Sequence, residues 1–552
     1  MSDIKQQPER RHLDSTAASV NQGAIQSNVL KNALKMTFGT MTSRSLGLLR
    51  ESLMAALFDK SITDAWGAAF RIPNMFRRLL GEGSLSVSFI PVFIEAKHDS
   101  TIRAQNLVNT LYTFLLILLS ALTVWGIVFP DHFLQLVLDP QYIQQVEKYE
   151  MTRSMMQIMF GFVFFISSFA FFMGILNALG QFFWPAIAPT FWNLAMVIST
   201  ILPQSVLTDF KIQHGQQLAW GVLIGGALQA AVLIPALVRS GYFPKINFQI
   251  LNKDLQQVFR NMGPGLIGMG LLQFTTIVNL RFSSSLVEGT ISYINYVDRL
   301  IELPLSLISV SLGTALLPVL SQYWVSGAKE KMAATSRHFL ELNLFVSISA
   351  AVGLFALADP IVRLLFGRGR FLETDIFQTV IILKTYCWIM LFSSGVRVLT
   401  PAYYAVKNTW LPAMVSAFCL ACHIIIAPIL MAKYQVQGLM ISTIISAFLN
   451  LFLLLLFYQK FIYQFSYFSF SLNILKYIFV GIVVYAVAST VYQLTIPNMY
   501  GLIIQPDLTI AASLGITFSV VLPIFAGFSF WLFPNETLKI KNKILKKKIK
   551  TN

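Results

Sequence analysis

Charge is scarce in this chain. Lys, Arg, Asp and Glu together make up 12% of its 552 residues, about half the share of an average soluble protein. With a mean hydropathy of +0.65, that shortfall excludes an ordinary water-soluble domain. Acid is scarcer than base, 25 Asp and Glu against 41 Lys and Arg. The basic excess does not indicate nucleic acid, because it is not spread over a face. It crowds the segment KIKNKILKKKIK at 539–550 and the loops of one side, a positive-inside bias whose natural partner is the anionic headgroups of membrane lipids. Cysteine is rarer still. Cys387, Cys419 and Cys422 form no paired extracellular framework, so disulfides are not expected. Cys419-Leu-Ala-Cys422-His423 has the spacing of c-type haem attachment, but it lies inside the apolar run FCLACHIIIAPIL, where attachment machinery has no access. The six histidines, at 12, 98, 132, 214, 338 and 423, are scattered and outline no metal site. HExxH, nucleophile-elbow, Walker and dinucleotide signatures are missing. Neither an enzyme nor a cofactor is expected, and without an ATP site any driving force comes from gradients, potential or substrate flux. The first 28 residues lack an apolar h-region, so they read as a polar cytoplasmic tail rather than a secretory signal.

Long apolar runs are abundant. Counted in units of about 20 residues, they predict an all-α polytopic membrane protein with fourteen transmembrane helices. Two six-helix repeats are expected, at 29–238 and 260–458, joined by a cytoplasmic linker at 239–259. Two extra helices at 459–533 and a basic cytoplasmic tail at 534–552 complete the chain. The repeat rests on FIPVF at 89–93 against LLPVL at 316–320, and on WPAIA at 184–188 against LPAMV at 411–415. Both matches share one offset, Pro91 to Pro318 and Pro185 to Pro412. An even span count puts both repeats the same way up, with their axis along the membrane normal. Lys and Arg in alternate loops place both termini in the cytoplasm; the loop 359–375, with Arg363, Arg368 and Arg370, runs against that pattern but also carries Asp359, Glu373 and Asp375.

The organising stretch is DAWGAAFRIPNMFRRLLGEGSLSVSFIPVF at 64–93. It carries Asp64, Arg71, Arg77, Arg78 and Glu82, two prolines and two glycines. Charge at membrane depth costs at least ~2.5–3.5 kcal/mol per group and is normally turned toward a cavity; broken helices survive there only where they line one. The ordinary alternative is an amphipathic loop at the interface. The first helix adds Arg44, Arg50 and Glu51 within TSRSLGLLRE, the two arginines about 120° apart on the helix. The eighth adds Asp298, Arg299 and Glu302 within NYVDRLIELP, where Arg299 and Glu302 at i,i+3 can pair. If the repeats face each other, these arginines surround one central cavity. An arginine-rich cavity with few free carboxylates suits an anion, phosphate above all. The competing reading is a set of structural ion pairs knitting the bundle.

The motifs SRSLGLLRE, TDAWGAAFRIPNMFRRLLGEGSLSVSFIPVF, GPGLIG at 263–268, YVDRLIELP, LGTALLPVLS, FGRGRF at 366–371 and TPAYYAVKNTWLP at 400–412 resemble those of the MurJ/MviN lipid II flippases, over about 29–533. The resemblance implies a member of the MATE-like exporter superfamily that moves lipid II, the undecaprenyl-diphosphate-linked disaccharide pentapeptide, from the inner to the outer leaflet of the bacterial inner membrane. It implies a cationic cavity holding the diphosphate, and a groove for the lipid tail on the last two helices. The family's essential arginines fall on Arg44, Arg50, Arg77 and Arg299, and its acidic positions on Glu51, Asp64 and Glu82. Glu51 stands where the family usually has Asp, a longer arm. Cell-wall synthesis proteins are candidate partners. The alternative activity is MATE-type antiport of organic cations, which the arginine excess disfavours.

Overall fold

A computed structural model of the chain describes residues 41–79, 85–248, 253–306, 311–464, 467–500 and 505–533. Among them every regular element is helical, as an apolar environment that cannot hydrogen-bond stray backbone requires. In chain order the helices are α1 (41–57), α2 (Lys60–Phe76), α3 (Leu85–Asp99), α4 (Thr101–Val128), α5 (Pro130–Val137), α6 (Pro140–Ile143), α7 (Val146–Ala178), α8 (Phe183–Ile201), α9 (Gln204–Asp209), α10 (Gln216–Ala231) and α11 (Ile234–Ser240). They continue as α12 (Lys253–Ser284), α13 (Thr290–Leu305), α14 (Ser311–Val325), α15 (Lys329–Ala356), α16 (Ala358–Phe366), α17 (Glu373–Tyr386), α18 (Ile389–Ala405), α19 (Trp410–Phe461), α20 (Tyr467–Tyr500) and α21 (Pro506–Leu532).

Seven helical segments among the described residues, α10 and α11 counted as one, are long and apolar enough to cross a membrane, and α17 with α18, bent by 44°, would make an eighth. Of the remaining expected spans, 185–202 and 258–286 fall on the single helices α8 and α12, 29–58 is described from residue 41 onward as α1, and two are built from broken pieces. The expected span 64–96 is α2 and α3, each with an internal proline, Pro73 and Pro91, and a π-helical turn at 77–79 follows α2. The expected span 291–323 repeats that design, with Pro304 in α13, Pro318 in α14 and a π turn at Ser306. Pro185 and Pro412 are each the third residue of their helix, α8 and α19.

At 52 residues α19 would be ~78 Å long if straight, far beyond a ~30 Å hydrocarbon core. It is an antiparallel hairpin. Gln435 leaves helical geometry at φ 50°, ψ −126°, and a Cβ on Gly438 would sit 2.3 Å from the Leu430 carbonyl oxygen, so the chain has doubled back. Ser446 Oγ donates to the Cys419 carbonyl (3.0 Å) and Asn450 Nδ2 to Ser416 Oγ (3.1 Å). The two halves correspond to the expected spans 411–432 and 437–458.

The chain divides into two compact units. The first takes the described parts of Met1–Met54, Ala69–Leu134 and Glu150–Met269. In it α10 lies close against α8, where a Cβ on Gly225 would meet the Trp192 carbonyl oxygen at 3.0 Å; small residues at such crossings let membrane helices approach. Phe89, Phe93, Phe171, Tyr112 and Tyr242 stack into a core beneath α3 and α4. Of the expected linker, residues 242–248 run without regular structure beside α4, and 253–259 are already part of α12. Lys245 N–H donates to Asn109 Oδ1 (2.8 Å), Asn247 N–H to Thr113 Oγ1 (2.9 Å), and Gln105 Nε2 to the Phe243 carbonyl (3.2 Å). The i,i+4,i+8 spacing of 105, 109 and 113 makes one polar ladder on α4.

The second unit takes Ala55–Ala68, Gln135–Tyr149 and the described residues from 270 onward. Its centre is α15, which packs on α14, α18 and α20. Asn343 and Ser347 of α15 both donate to Ser394 Oγ of α18, at 2.8 and 2.9 Å, a buried polar junction of the kind that fastens helices in lipid. The last two helices pack on each other, and Tyr477, Val480 and Phe533 gather around Phe345 of α15.

Candidate functional site

Within the first unit, Ser43, Gly47 and Arg50 of α1 follow i,i+4,i+7 and so share one face, which meets α8. Arg50 is 1% exposed. Its Nη2 pairs with the neighbouring Glu51 carboxylate, its Nη1 donates to Asn193 Oδ1 at 3.2 Å, and its guanidinium lies 4.6 Å over the Trp192 ring. Asn193 is held in turn. Its Nδ2 donates to the Ser43 carbonyl (3.0 Å), Ser43 Oγ (3.1 Å) and the Pro189 carbonyl (3.2 Å). Trp192 stacks on Phe70 at 5.9 Å. A buried guanidinium is tolerable only with such compensation. Arg44 and Arg77 are half-buried, and Arg77 Nε donates to Asn74 Oδ1 at 2.8 Å.

In the second unit Asp64 is 2% exposed and serves as a cap on another helix. Gly289, at φ +93°, is the N-cap of α13. Its N–H and that of Ser292 both reach the Asp64 carboxylate, at 2.7 and 2.9 Å, and Ser292 Oγ donates at 2.7 Å. These are backbone donors a helix start cannot satisfy itself, and a carboxylate there is further favoured by the helix dipole. Lys148 Nζ completes the cluster at 3.0 Å from Asp64. Beside it, Asp375 caps the start of α17 through the Leu372 N–H (2.9 Å), accepts from Tyr293 Oη (2.5 Å) and pairs with Lys60 (3.3 Å). Arg299 and Glu302 form the expected i,i+3 pair at 3.4 Å, with both side chains well exposed. Glu82 lies outside the described residues.

Arg44, Arg50, Glu51 and Arg77 therefore belong to the first unit, and Asp64 and Arg299 to the second. Arg50 with Glu51, and Asp64 with Lys148, are buried and bonded; Arg44, Arg77 and Arg299 retain exposure. Trp192, Asn193, Lys148, Ser292, Asp375 and Tyr293 were not singled out from the sequence. Outside these clusters, Cys387, Cys419 and Cys422 are free thiols, and His423 Nε2 is 2.8 Å from Asn279 Oδ1. The loop 359–375 is pinned by ion pairs. Arg363 joins Asp359 and Glu373 and holds the Glu373 carboxyl below its usual range; Arg368 pairs with Asp507, and Arg370 with Asp59.

Apolar helices with internal prolines, broken spans and guanidinium groups at the helix faces define a polytopic membrane transporter. A solved MATE-family multidrug transporter in an inward-facing conformation is similar to 78% of this chain and 97% of its own, with a TM-score of 0.65 at 13% identity, which speaks for the fold alone. A solved structure of the lipid II flippase MurJ, inward closed, is similar over 90% of this chain and 99% of its own, with a TM-score of 0.71 and 25% identity. The family model described as Lipid II flippase MurJ matches residues 53–505. The probable lipid II flippase MurJ of Bdellovibrio bacteriovorus is 50% identical over 429 residues, 77% of this chain and 81% of that relative. The lipid II flippase MurJ of Burkholderia cenocepacia is 31% identical over 78% of this chain and 84% of its own. The chain belongs to the MurJ lipid II flippase family, and is a multi-pass membrane protein.

Proposed function

We infer that this protein flips lipid II from the inner to the outer leaflet of the bacterial cytoplasmic membrane. Family membership across 53–505, with a relative at 50% identity, carries the reading. The diphosphate and sugars cannot cross hydrocarbon unaided, whereas the polyprenyl tail can stay in lipid throughout. A cationic cleft, open by alternating access first to one side and then to the other, supplies the polar path. Arg44, Arg50, Arg77 and Arg299 are the proposed diphosphate contacts, chosen because a guanidinium keeps its charge and matches phosphate oxygens two at a time. Glu51, Asp64 and Glu82 complete the proposed site as its acids, Glu51 beside Arg50 and Asp64 beside Lys148. Lipid II and the membrane lipids are the proposed partners, and both termini are placed in the cytoplasm by the loop charge bias. Depleting the protein in a bacterium that depends on it should leave lipid II accumulated in the inner leaflet. Undiminished arrival of lipid II at the outer leaflet after depletion would overturn the assignment.

A further inference from the structure

Arg50 presents two edges to two different groups. One faces the carboxylate of Glu51, its neighbour in sequence. The other faces Asn193 of α8, 143 residues away. The first partner is charged and sits on the same helix. The second is neutral and locked from behind, because its amide nitrogen is committed to the Ser43 and Pro189 carbonyls and to Ser43 Oγ. That commitment fixes which end of the amide meets Arg50: the oxygen. Trp192, the residue before, covers the flat face of the same guanidinium at 4.6 Å. It is seated by Phe70 and by the close approach of α10 at Gly225.

We propose that Asn193 and Trp192 are positioning residues for Arg50, fixing one edge and one face of its guanidinium so that the Glu51 edge can be handed from that carboxylate to a phosphate. This rests on the functional reading given above. The choice of an amide matters. A neutral acceptor orients the guanidinium without cancelling its charge, whereas a carboxylate at 193 would compete with any incoming anion from a direction the anion cannot clear. Glu51 can leave without loosening Arg50, because Asn193 and Trp192 stay. A phosphate oxygen then takes the place of a carboxylate oxygen at the same donor, so Arg50 is not left as an unpaired buried charge.

The test compares purified full-length protein with Asn193→Ala, Asn193→Asp, Trp192→Phe and Trp192→Leu variants, binding undecaprenyl diphosphate and, separately, undecaprenol, which lacks the anion. The readout is the ratio of the two affinities, which a fall in the folded fraction does not move. Asn193→Ala should lower the ratio about tenfold, the scale of one lost hydrogen bond to a charged group. Asn193→Asp, nearly isosteric with Asn, should lower it further than Ala does. Trp192→Phe should keep most of the preference and Trp192→Leu should lose about three- to thirtyfold, the range for a guanidinium over an aromatic face. With Arg50→Ala in the background, all four differences should vanish. Simple packing predicts the opposite order at 193, with Asp closer to wild type than Ala. That order, or ratios equal to wild type in Asn193→Ala and Trp192→Leu, overturns the inference alone. Equal affinity of the unmodified protein for diphosphate and undecaprenol overturns the functional reading and the inference with it.

Discussion

Replacing Asp64 by alanine takes an acceptor away from Lys148 Nζ, from the N–H groups of Gly289 and Ser292, and from Ser292 Oγ, which keeps Thr63 Oγ1 at 2.8 Å. Breaking a buried pair from one side costs about 3–5 kcal/mol, and losing a helix cap about 1 kcal/mol. The two share atoms and do not simply add, so a loss on the order of 4 kcal/mol is expected. Lys148, with 8% of its side chain exposed and its Nζ 5.0 Å over the Tyr142 ring, loses its buried ion-pair partner. Asp64→Asn keeps the shape but turns a donor toward donors, so it should also destabilise. Lys148→Met in the Asp64→Asn background removes the buried charge that has lost its carboxylate and should recover at least ~2 kcal/mol. Thermal unfolding of the purified protein reads this directly, since Cys387 and Cys419 are buried and a thiol-reactive dye reports their exposure. Wild-type unfolding by Asp64→Ala, or no recovery with Lys148→Met, would refute the capping argument. Normal unfolding with lost diphosphate binding would assign Asp64 to the substrate instead.

Three further outcomes follow from other parts of the chain. Gly369→Ala should destabilise by about 1–3 kcal/mol, because φ is +61° and the new Cβ would lie 2.1 Å from the Ala56 carbonyl oxygen; an unchanged unfolding temperature would contradict this. Changing Cys419 and Cys422 together to Ala should leave transport intact, and purified protein should show no haem absorbance. A tag after Asn552 should be reached from the cytoplasmic side only, and labelling from the periplasm would reverse the topology.

How much was legible in the sequence depended on how local the physics is. The apolar runs forecast the helices because each run buries or greases its own length. Prolines at 73 and 91 marked the broken span 64–96 because a missing N–H acts within one turn, whereas 291–323 was expected as one helix. Arg299 and Glu302 could be paired on paper because i,i+3 is a fixed geometry. Asp64 stood out as a charge in an apolar run, but its partners lie 84 to 228 residues away, and no spacing connects them. Asn193 sits in FWNLAMV, where a single amide gives no signal until α1 is laid against it. Arg50 and Glu51 are neighbours in sequence, a spacing that names no partner for either. They engage each other, and Arg50 also reaches across to Asn193 of α8.

The central claim is that an arginine-lined path carries the diphosphate of lipid II. The most direct measurement replaces Arg50 or Arg299 by Ala, follows the fraction of lipid II reaching the outer leaflet in cells depleted of the wild-type protein, and quantifies the variant in the membrane alongside. The account predicts variant protein present in the membrane with flipping abolished, and partial recovery with Lys, which keeps the charge but not the planar fork. Wild-type flipping by stable Arg50→Ala and Arg299→Ala proteins would contradict it.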